Sequence, residues 1–185
     1  MREEVVRFLN EYLHSAEIPD SSRNGLQVEG RARVRKIVFG VSAGLELFKK
    51  AHAVGADMII VHHGLLWGKE QPLTGTFGRR IGFLLRHNIS LLGYHLPLDK
   101  HPQIGHNALL LKELHAKNVH SFGSYHGQDI GFCGEINPAP LSSVVRKMEH
   151  FCGAKACLLP FGPRKIRTVG AVSGGGWSMI PDAIA

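Results

Sequence analysis

The residues of this chain best suited to metal chemistry are two histidines that follow one another directly. His62 and His63 come immediately after an apolar segment at residues 58–61. A second apolar segment ends in His95, and Asp99 follows within the next few residues. Imidazole and carboxylate ligands suit Zn, Mn, Fe or Ni, and the lack of a nearby cysteine argues against a structural zinc site. The sequence therefore predicts a metal site built from these four residues.

The adjacent histidines also have an ordinary structural interpretation. Side chains alternate between the two faces of a strand, so one histidine would be a core residue and its neighbour would face solvent. The two rings converge only if the strand ends between His62 and His63, and Gly64 permits such a bend. Adjacent histidines can then each bind a different ion of a two-metal site.

The elements that must position these side chains follow from the apolar pattern. Pro97 cannot continue strand pairing, so we expect a curled loop that aims His95 and Asp99 back toward the strand ends. The predicted strands are continuous apolar runs, which is typical of a parallel sheet covered by helices on both faces. In such sheets the carboxyl ends of the strands carry the ligands. The prediction places strands at 36–41, 57–62 and 89–95, and helices at 4–14, 42–54 and 78–87.

The second part of the chain is predicted to mix strands and helices. A helix opens at Gly105, and glycine-broken apolar pieces suggest a small β region at 119–137. The last segment, from Trp177, predicts the start of a helix that no strand receives. Because a complete α/β domain rarely stops there, we expect a truncated chain. Further elements are predicted as a helix at 141–152 and strands at 156–159 and 166–172.

Composition narrows the class of protein. The chain has 185 residues, of which 44% are hydrophobic, enough for a sizeable core. No apolar run approaches the roughly 18 residues that span a bilayer, and no signal peptide is recognised at the start, so no membrane association is predicted. The three cysteines are odd in number and lack a zinc spacing, which predicts reduced thiols in a cytoplasmic protein.

The charge of the chain favours anionic partners only weakly. Lysine and arginine total 22 and aspartate and glutamate 15, which gives a net charge of +7. That balance suits nucleotides or nucleic acid. The charges are scattered, however, so a basic surface without a specific partner is the simpler interpretation. The one dense group is Arg31, Arg33, Arg35 and Lys36.

Two other features carry weaker signals. The segment Ser173–Gly176 follows a predicted strand and could cradle a phosphate on its backbone N–H groups, but a tight turn is the simpler interpretation. Trp67 follows the paired histidines and could line a pocket or simply pack. The sequence contains no recognisable Ser-His-Asp or Cys-His catalytic pattern, and it contains no zinc-finger or RNA-recognition motif.

The order and spacing of four motifs resemble one family, the GTP cyclohydrolase 1 type 2 homologue family, which is also called the Nif-three-like family. The resemblance runs from Val5 to the last residue, and the combination of motifs is more specific than any one of them. The motifs are Asn24-Gly25-Leu26-Gln27-Val28, Val61-His62-His63-Gly64, Tyr94-His95-Leu96-Pro97-Leu98-Asp99 with Asn107 following, and Ser173-Gly174-Gly175-Gly176.

This resemblance implies a fold and a site. Family members look like two related α/β lobes around a dinuclear metal centre, and they assemble as hexameric rings. The implied fold class is a parallel-sheet β-α-β-α-β lobe with flanking helices, at residues 1–118, and an incomplete second related α/β lobe that begins within 119–185. His62, His63 and Asp99 match the family's metal ligands, and His95 matches a loop histidine close to the metals. The remaining ligands, a histidine and a glutamate, lie beyond position 185 in the family, so the chain is expected to hold part of the site.

Two functions are consistent with these residues. The first is a hydrolase that uses two divalent metal ions and acts on a nucleotide-like, phosphoester or amide substrate. In that hypothesis His62, His63 and Asp99 bind the ions, and His95 is the catalytic residue that orients water or substrate. GTP cyclohydrolase activity is attributed to some members of the family. The second is a non-catalytic ring, stabilised by its metals, that binds nucleic acid or a protein partner.

Overall fold

A four-stranded sheet lies at the centre of the first unit, residues 1–98. The computed structural model describes residues 1–184 and divides them into this unit and a second one that begins at Asp99. The sheet has the strand order β1-β4-β3-β2, in which β2, β3 and β4 are parallel and β1 is antiparallel to β4. The strands are β1 (Gly25–Val28), β2 (Ile37–Ser42), β3 (Met58–His63) and β4 (Ser90–Gly93).

Helices cover both faces of this sheet, and its interior strand β3 is apolar on both sides. In β3, Ile59 and Val61 belong to one buried cluster, which also contains Phe48 and Leu84 from two helices. Met58 and Ile60 point to the other face, where they pack with residues from the first helix. This arrangement confirms the predicted α/β class with a parallel-containing sheet. The helices are α1 (Arg2–Tyr12), α2 (Leu45–Ala53) and α3 (Gly75–His87).

The second unit contains a three-stranded sheet that is antiparallel throughout, in the order β5-β6-β7. Ala108 and Leu111 of helix α5 are buried against Phe132 of β6. A short helical turn, α4, joins the two units in sequence. The elements are α4 (Leu96–Asp99), α5 (His106–Glu113), β5 (Lys117–Tyr125), β6 (Gln128–Pro140), α6 (Leu141–Cys152), β7 (Lys165–Ala171), a 3-10 helix (Gly176–Met179) and α7 (Ile180–Ile184).

The boundary between the units lies between Leu98 and Asp99, whereas the sequence predicts it between 118 and 119. Helix α5 accounts for the difference, because its buried side chains pack on β6 of the second sheet. A second difference concerns Pro97, which lies in the helical turn α4 and not in a curled loop. Proline is compatible with the first turn of a helix because its missing N–H has no partner there.

The strand predicted at 156–159 is wrong, since this segment has no regular secondary structure. The Ala156 N–H donates a hydrogen bond to the Glu149 carboxylate of α6 at 3.0 Å instead of pairing with a strand. Leu159 is 73% exposed, so the apolar residues that suggested a strand are not buried here. Within residues 1–184, no helix has both the length and the apolar character required to cross a membrane.

Candidate metal centre

The paired histidines lie in the last two positions of β3, and their rings converge. Both residues belong to the strand, so the expectation that the rings converge only where the strand ends between them is wrong. Pairing with β4 stops at Val61, while pairing with β2 continues to His63. A strand end that is held on one side only can twist, and the two ring centroids lie 4.5 Å apart.

His95 completes a cluster of three imidazoles in the first unit. One nitrogen from each of His62, His63 and His95 lies within 4.8 Å of the other two. The ring centroid of His95 is 5.0 Å from that of His62 and 5.8 Å from that of His63. His62 is the most buried of the three side chains, His95 is partly buried and His63 is exposed. The cluster therefore reaches from the sheet edge to the surface, and these three residues come together as the sequence predicts.

The backbone fixes the protonated nitrogen of His62. Its Nδ1 lies 3.0 Å from the carbonyl oxygen of Tyr94. Because a carbonyl can only accept, Nδ1 carries the proton, and the lone pair of neutral His62 is on Nε2. Tyr94 itself is buried, which raises the pKa of its hydroxyl, and that hydroxyl donates to Asn10 at 2.8 Å. Metal-binding histidines are commonly oriented in this way through their second nitrogen.

An aspartate that the sequence analysis did not assign performs the same role for His95. The Nδ1 of His95 donates to the Asp20 carboxylate, at 3.0 Å from Oδ1. Burial alone would raise the pKa of this carboxyl, but the hydrogen bonds that it accepts outweigh that effect and lower the pKa to about 2. Asp20 is therefore ionised at neutral pH, and His95 Nε2 is left to accept a proton or bind a cation. The other donors to Asp20 are the amides of Ser22 and Leu96 and the side chain of Asn24.

A glutamine side chain holds the loop that follows the paired histidines. Gln27 Oε1 accepts the N–H groups of Leu65 at 2.6 Å and of Leu66 at 3.2 Å. The Gln27 amide packs against two glycines, and any larger residue there would collide with it. A Cβ atom added to Gly93 would lie only 2.7 Å from Gln27 Nε2, and a Cβ atom added to Gly64 would lie even closer. These contacts give a physical reason for the glycines that follow His63 and precede Tyr94 in the motifs.

We expect Gln27→Ala to lower the free energy of unfolding by about 1–3 kcal/mol, because two loop amides lose their acceptor. The exposed Gln71→Ala substitution is the matched control and is expected to change stability by less than about 0.5 kcal/mol. Urea unfolding at pH 7 measures both. Equal stability of the two variants would show that water replaces the Gln27 contact at no cost.

Trp67 lies beside the histidines and is anchored by its indole. Its Nε1–H donates to the Gly64 carbonyl at 2.9 Å. The indole meets the His95 ring edge-on, with ring centroids 4.9 Å apart and an angle of 70°. Of the two roles left open by the sequence, both apply, since Trp67 packs on His95 and also lines a cleft of about 250 Å³.

The fourth predicted residue, Asp99, is the first residue of the second unit and is buried there. Its Oδ1 accepts a hydrogen bond from Ser173 Oγ at 2.7 Å and lies 2.7 Å from His106 Nδ1. The bond to Asp99 raises the pKa of His106, although partial burial opposes this. Ser173 thus holds a carboxylate through its hydroxyl. The assignment of Asp99 as a metal ligand stays a prediction.

Sequence reasoning missed Asp20, Gln27 and His106 as contributors to these two groups. One local signal for Asp20 was available: its carboxylate accepts the N–H of Ser22, two residues on, which is the pattern of an Asx turn. The contacts of Gln27 and His106 have no comparable local pattern. The motif Asn24–Val28 identified the segment that contains Gln27 but did not predict the contacts of its side chains.

The fold and the cluster define a class: an α/β protein with a candidate metal centre of histidines at the carboxyl end of a parallel sheet. Comparison with known proteins gives the particular family. A family model described as Duf34/NIF3 (NGG1p interacting factor 3) matches residues 1–185, and the chain belongs to this family. The resemblance deduced from the four motifs is confirmed.

Individual relatives agree with this assignment. A protein of Archaeoglobus fulgidus named "GTP cyclohydrolase 1 type 2 homolog" is 44% identical over 98% of this chain and 72% of its own length. A solved structure described as protein ybgI, of unknown function, is 38% identical with a TM-score of 0.89, over 98% of this chain and 73% of that one. A crystal structure of a Thermus thermophilus protein is 36% identical with a TM-score of 0.87, over 97% and 73% of the two chains.

Proposed function

We propose that this protein binds divalent metal ions through His62 and His63, with Asp99 as a further ligand. The observation that carries the proposal is the convergence of His62 and His63, each of which offers a nitrogen within 4.8 Å of the other and of His95. Nitrogen ligands of one tetrahedral ion lie roughly 3.4 Å apart at metal–nitrogen distances of about 2.1 Å. The nitrogens therefore have to move closer by up to about 1.4 Å to share one ion. The donor set of neutral imidazoles and a carboxylate suits Zn, Mn, Fe or Ni.

We further propose that the centre holds two such ions and serves a hydrolase. When bound, a divalent ion supplies a Lewis acid and lowers the pKa of water. The contribution of this chain is to position the reactants: Asp20 fixes the tautomer of His95, so His95 Nε2 can accept a proton from water. The substrate class that fits this chemistry is a nucleotide-like, phosphoester or amide compound. The name that the relatives carry, with its reference to GTP cyclohydrolase, is consistent with a nucleotide.

The partners expected from the resemblance belong to the same proposal. We propose that the chain self-associates, as the expected hexameric ring requires. Phe39 and Val41 on the edge strand β2 are 73% and 68% exposed, and apolar residues on a sheet edge favour association. A small anionic substrate, binding to nucleic acid and a cytoplasmic location remain predictions. The alternative function, a non-catalytic metal-stabilised ring, shares the same metal ligands.

The experiment that separates catalysis from binding is a hydrolysis screen with the metal-loaded protein. Zn, Mn, Fe and Ni are loaded in turn, the bound metal is quantified, and nucleotides, phosphoesters and amides are offered. Replacing His95 by alanine is expected to lower kcat/KM by about 10²–10⁴-fold, as loss of a general base does. The exposed His150→Ala protein is the control and should keep full activity. A protein that binds metal but hydrolyses nothing in the screen would favour the non-catalytic ring.

A further inference from the structure

The cleft lined by Trp67 lies in the first unit and is chemically mixed. Trp67, Leu73 and Phe77 supply apolar and aromatic walls, and the volume is about 250 Å³. Arg23 and Lys69 also line it. This volume is slightly below the roughly 300–1,000 Å³ of pockets that bind complete small ligands. The cleft is therefore of the size that accommodates one part of a larger molecule.

The wall that contains Trp67 is held in place by backbone pairing. Ser22 and Trp67 form an isolated antiparallel bridge. On either side of it, the Arg23 N–H donates to the Leu66 carbonyl at 3.0 Å, and the Gly68 N–H donates to the Ser21 carbonyl at 2.7 Å. A wall that is already ordered does not have to be immobilised when a ligand binds, so less free energy is lost on binding.

Trp67 also connects the cleft to the histidine cluster. Its indole is in edge contact with the His95 ring, at a centroid distance of 4.9 Å, and lies 6.4 Å from the ring of His63. A ligand that packs on Trp67 inside the cleft is thus separated from the histidines by about one indole ring. A molecule longer than the cleft could place a second group at the histidines.

The charges that line the cleft indicate which ligand it favours. Arg23 and Lys69 carry two positive charges against one negative charge from Glu70, which also lines the cleft. Neither cation takes part in an ion pair within residues 1–184. The aromatic walls favour a planar ring, since aromatic pairs gain energy beyond simple burial of area. A cation near such a wall favours an anionic substituent on that ring.

We propose that the Trp67 cleft binds a planar aromatic ring that bears an anionic group, and that it is the subsite for the part of the substrate remote from the bond that is cleaved. Only the second part of this proposal, the role of the cleft as a substrate subsite, rests on the proposed function. Ring binding itself requires no metal. Binding of a remote group contributes to catalysis because it positions the reacting bond.

The test uses 1-naphthyl phosphate as the probe and the 185-residue protein freed of metal with EDTA. The chain has two tryptophans, so its NMR spectrum contains two indole N–H signals, and Trp177→Phe identifies the signal of Trp67. We expect 1-naphthyl phosphate to shift the Trp67 signal in a saturable manner. We expect Arg23→Gln and Lys69→Gln each to weaken binding at least threefold, whereas the exposed Lys49→Gln control leaves it unchanged.

Two further compounds test the anionic and the aromatic requirements of the cleft separately. Inorganic phosphate and 1-naphthol should each bind at least tenfold more weakly than 1-naphthyl phosphate. Equal binding of inorganic phosphate would overturn the aromatic part, and equal binding of 1-naphthol would overturn the anionic part. An unmoved Trp67 signal would overturn the whole inference. Because metal is removed throughout, a failed hydrolysis screen leaves this result intact, and a failed probe titration leaves metal binding intact.

Discussion

Replacing His62 by alanine is expected to abolish tight metal binding while the fold is retained. His62 is the most buried member of the cluster, and its Nδ1–H bond to the Tyr94 carbonyl leaves the lone pair on Nε2. Loss of a residue that only supports a ligand typically costs 10–100-fold in metal affinity. Loss of a ligand should therefore cost more than about 100-fold. Isothermal titration with Zn²⁺ measures the affinity, and circular dichroism reports the fold.

The control for this experiment is a histidine of the same type outside the cluster. His150 is exposed in helix α6, and His150→Ala should leave the affinity unchanged. If His62→Ala binds Zn²⁺ as tightly as the parent protein, His62 is not a metal ligand, and the proposed function fails.

Replacing Asp20 by asparagine is expected to lower the free energy of unfolding by about 2 kcal/mol at pH 7. The hydrogen bonds to Asp20 lower its pKa from 3.8 to about 2, and this difference corresponds to about 2 kcal/mol of stability. Since the folded-state pKa is the lower one, the contribution is fully present above about pH 4. It is lost as the pH falls toward 2. Urea unfolding of both proteins between pH 7 and pH 2.5 should show their stabilities converging.

Glu17→Gln is the matched control, because the Glu17 side chain is 74% exposed. Its stability should follow the parent protein at every pH to within about 0.5 kcal/mol. A constant difference between Asp20→Asn and the parent across this range would mean that the loss comes from packing and not from the ionised carboxylate.

The apolar pattern was sufficient to predict the sheet and the place of the three histidines. Residues 57–62 and 89–95 are continuous apolar runs, and runs of that kind form parallel strands whose carboxyl ends meet at one edge. His62 and His95 follow directly from that rule. The same rule wrongly predicted a strand at 156–159. An apolar run indicates that a segment tends to be buried, but it does not show that a neighbouring strand is available to pair with it.

The orientation of the histidines was beyond local pattern. It depends on Asp20 and the Tyr94 carbonyl, which reach their partners across 75 and 32 residues of sequence. The convergence of His62 and His63 likewise depends on which neighbour strand ends first, and strand pairing is a property of the sheet as a whole. Side chains that act through such distant hydrogen bonds are identified only when the chain is folded.

The position of β1 has a consequence for the order in which the first unit folds. β1 is the antiparallel edge strand, and the segment that leads into it contains Asp20 and Asn24. The parallel strands β2, β3 and β4 can pair before this segment docks, but His95 has no partner for its Nδ1 until a loop of 75 residues has closed. Closure of long loops is slow compared with local contacts. We therefore expect the hydrogen bond that orients His95 to form late in the folding of this unit. A chain that holds an ion at the cluster should then already have the segment from Asp20 through β1 in place.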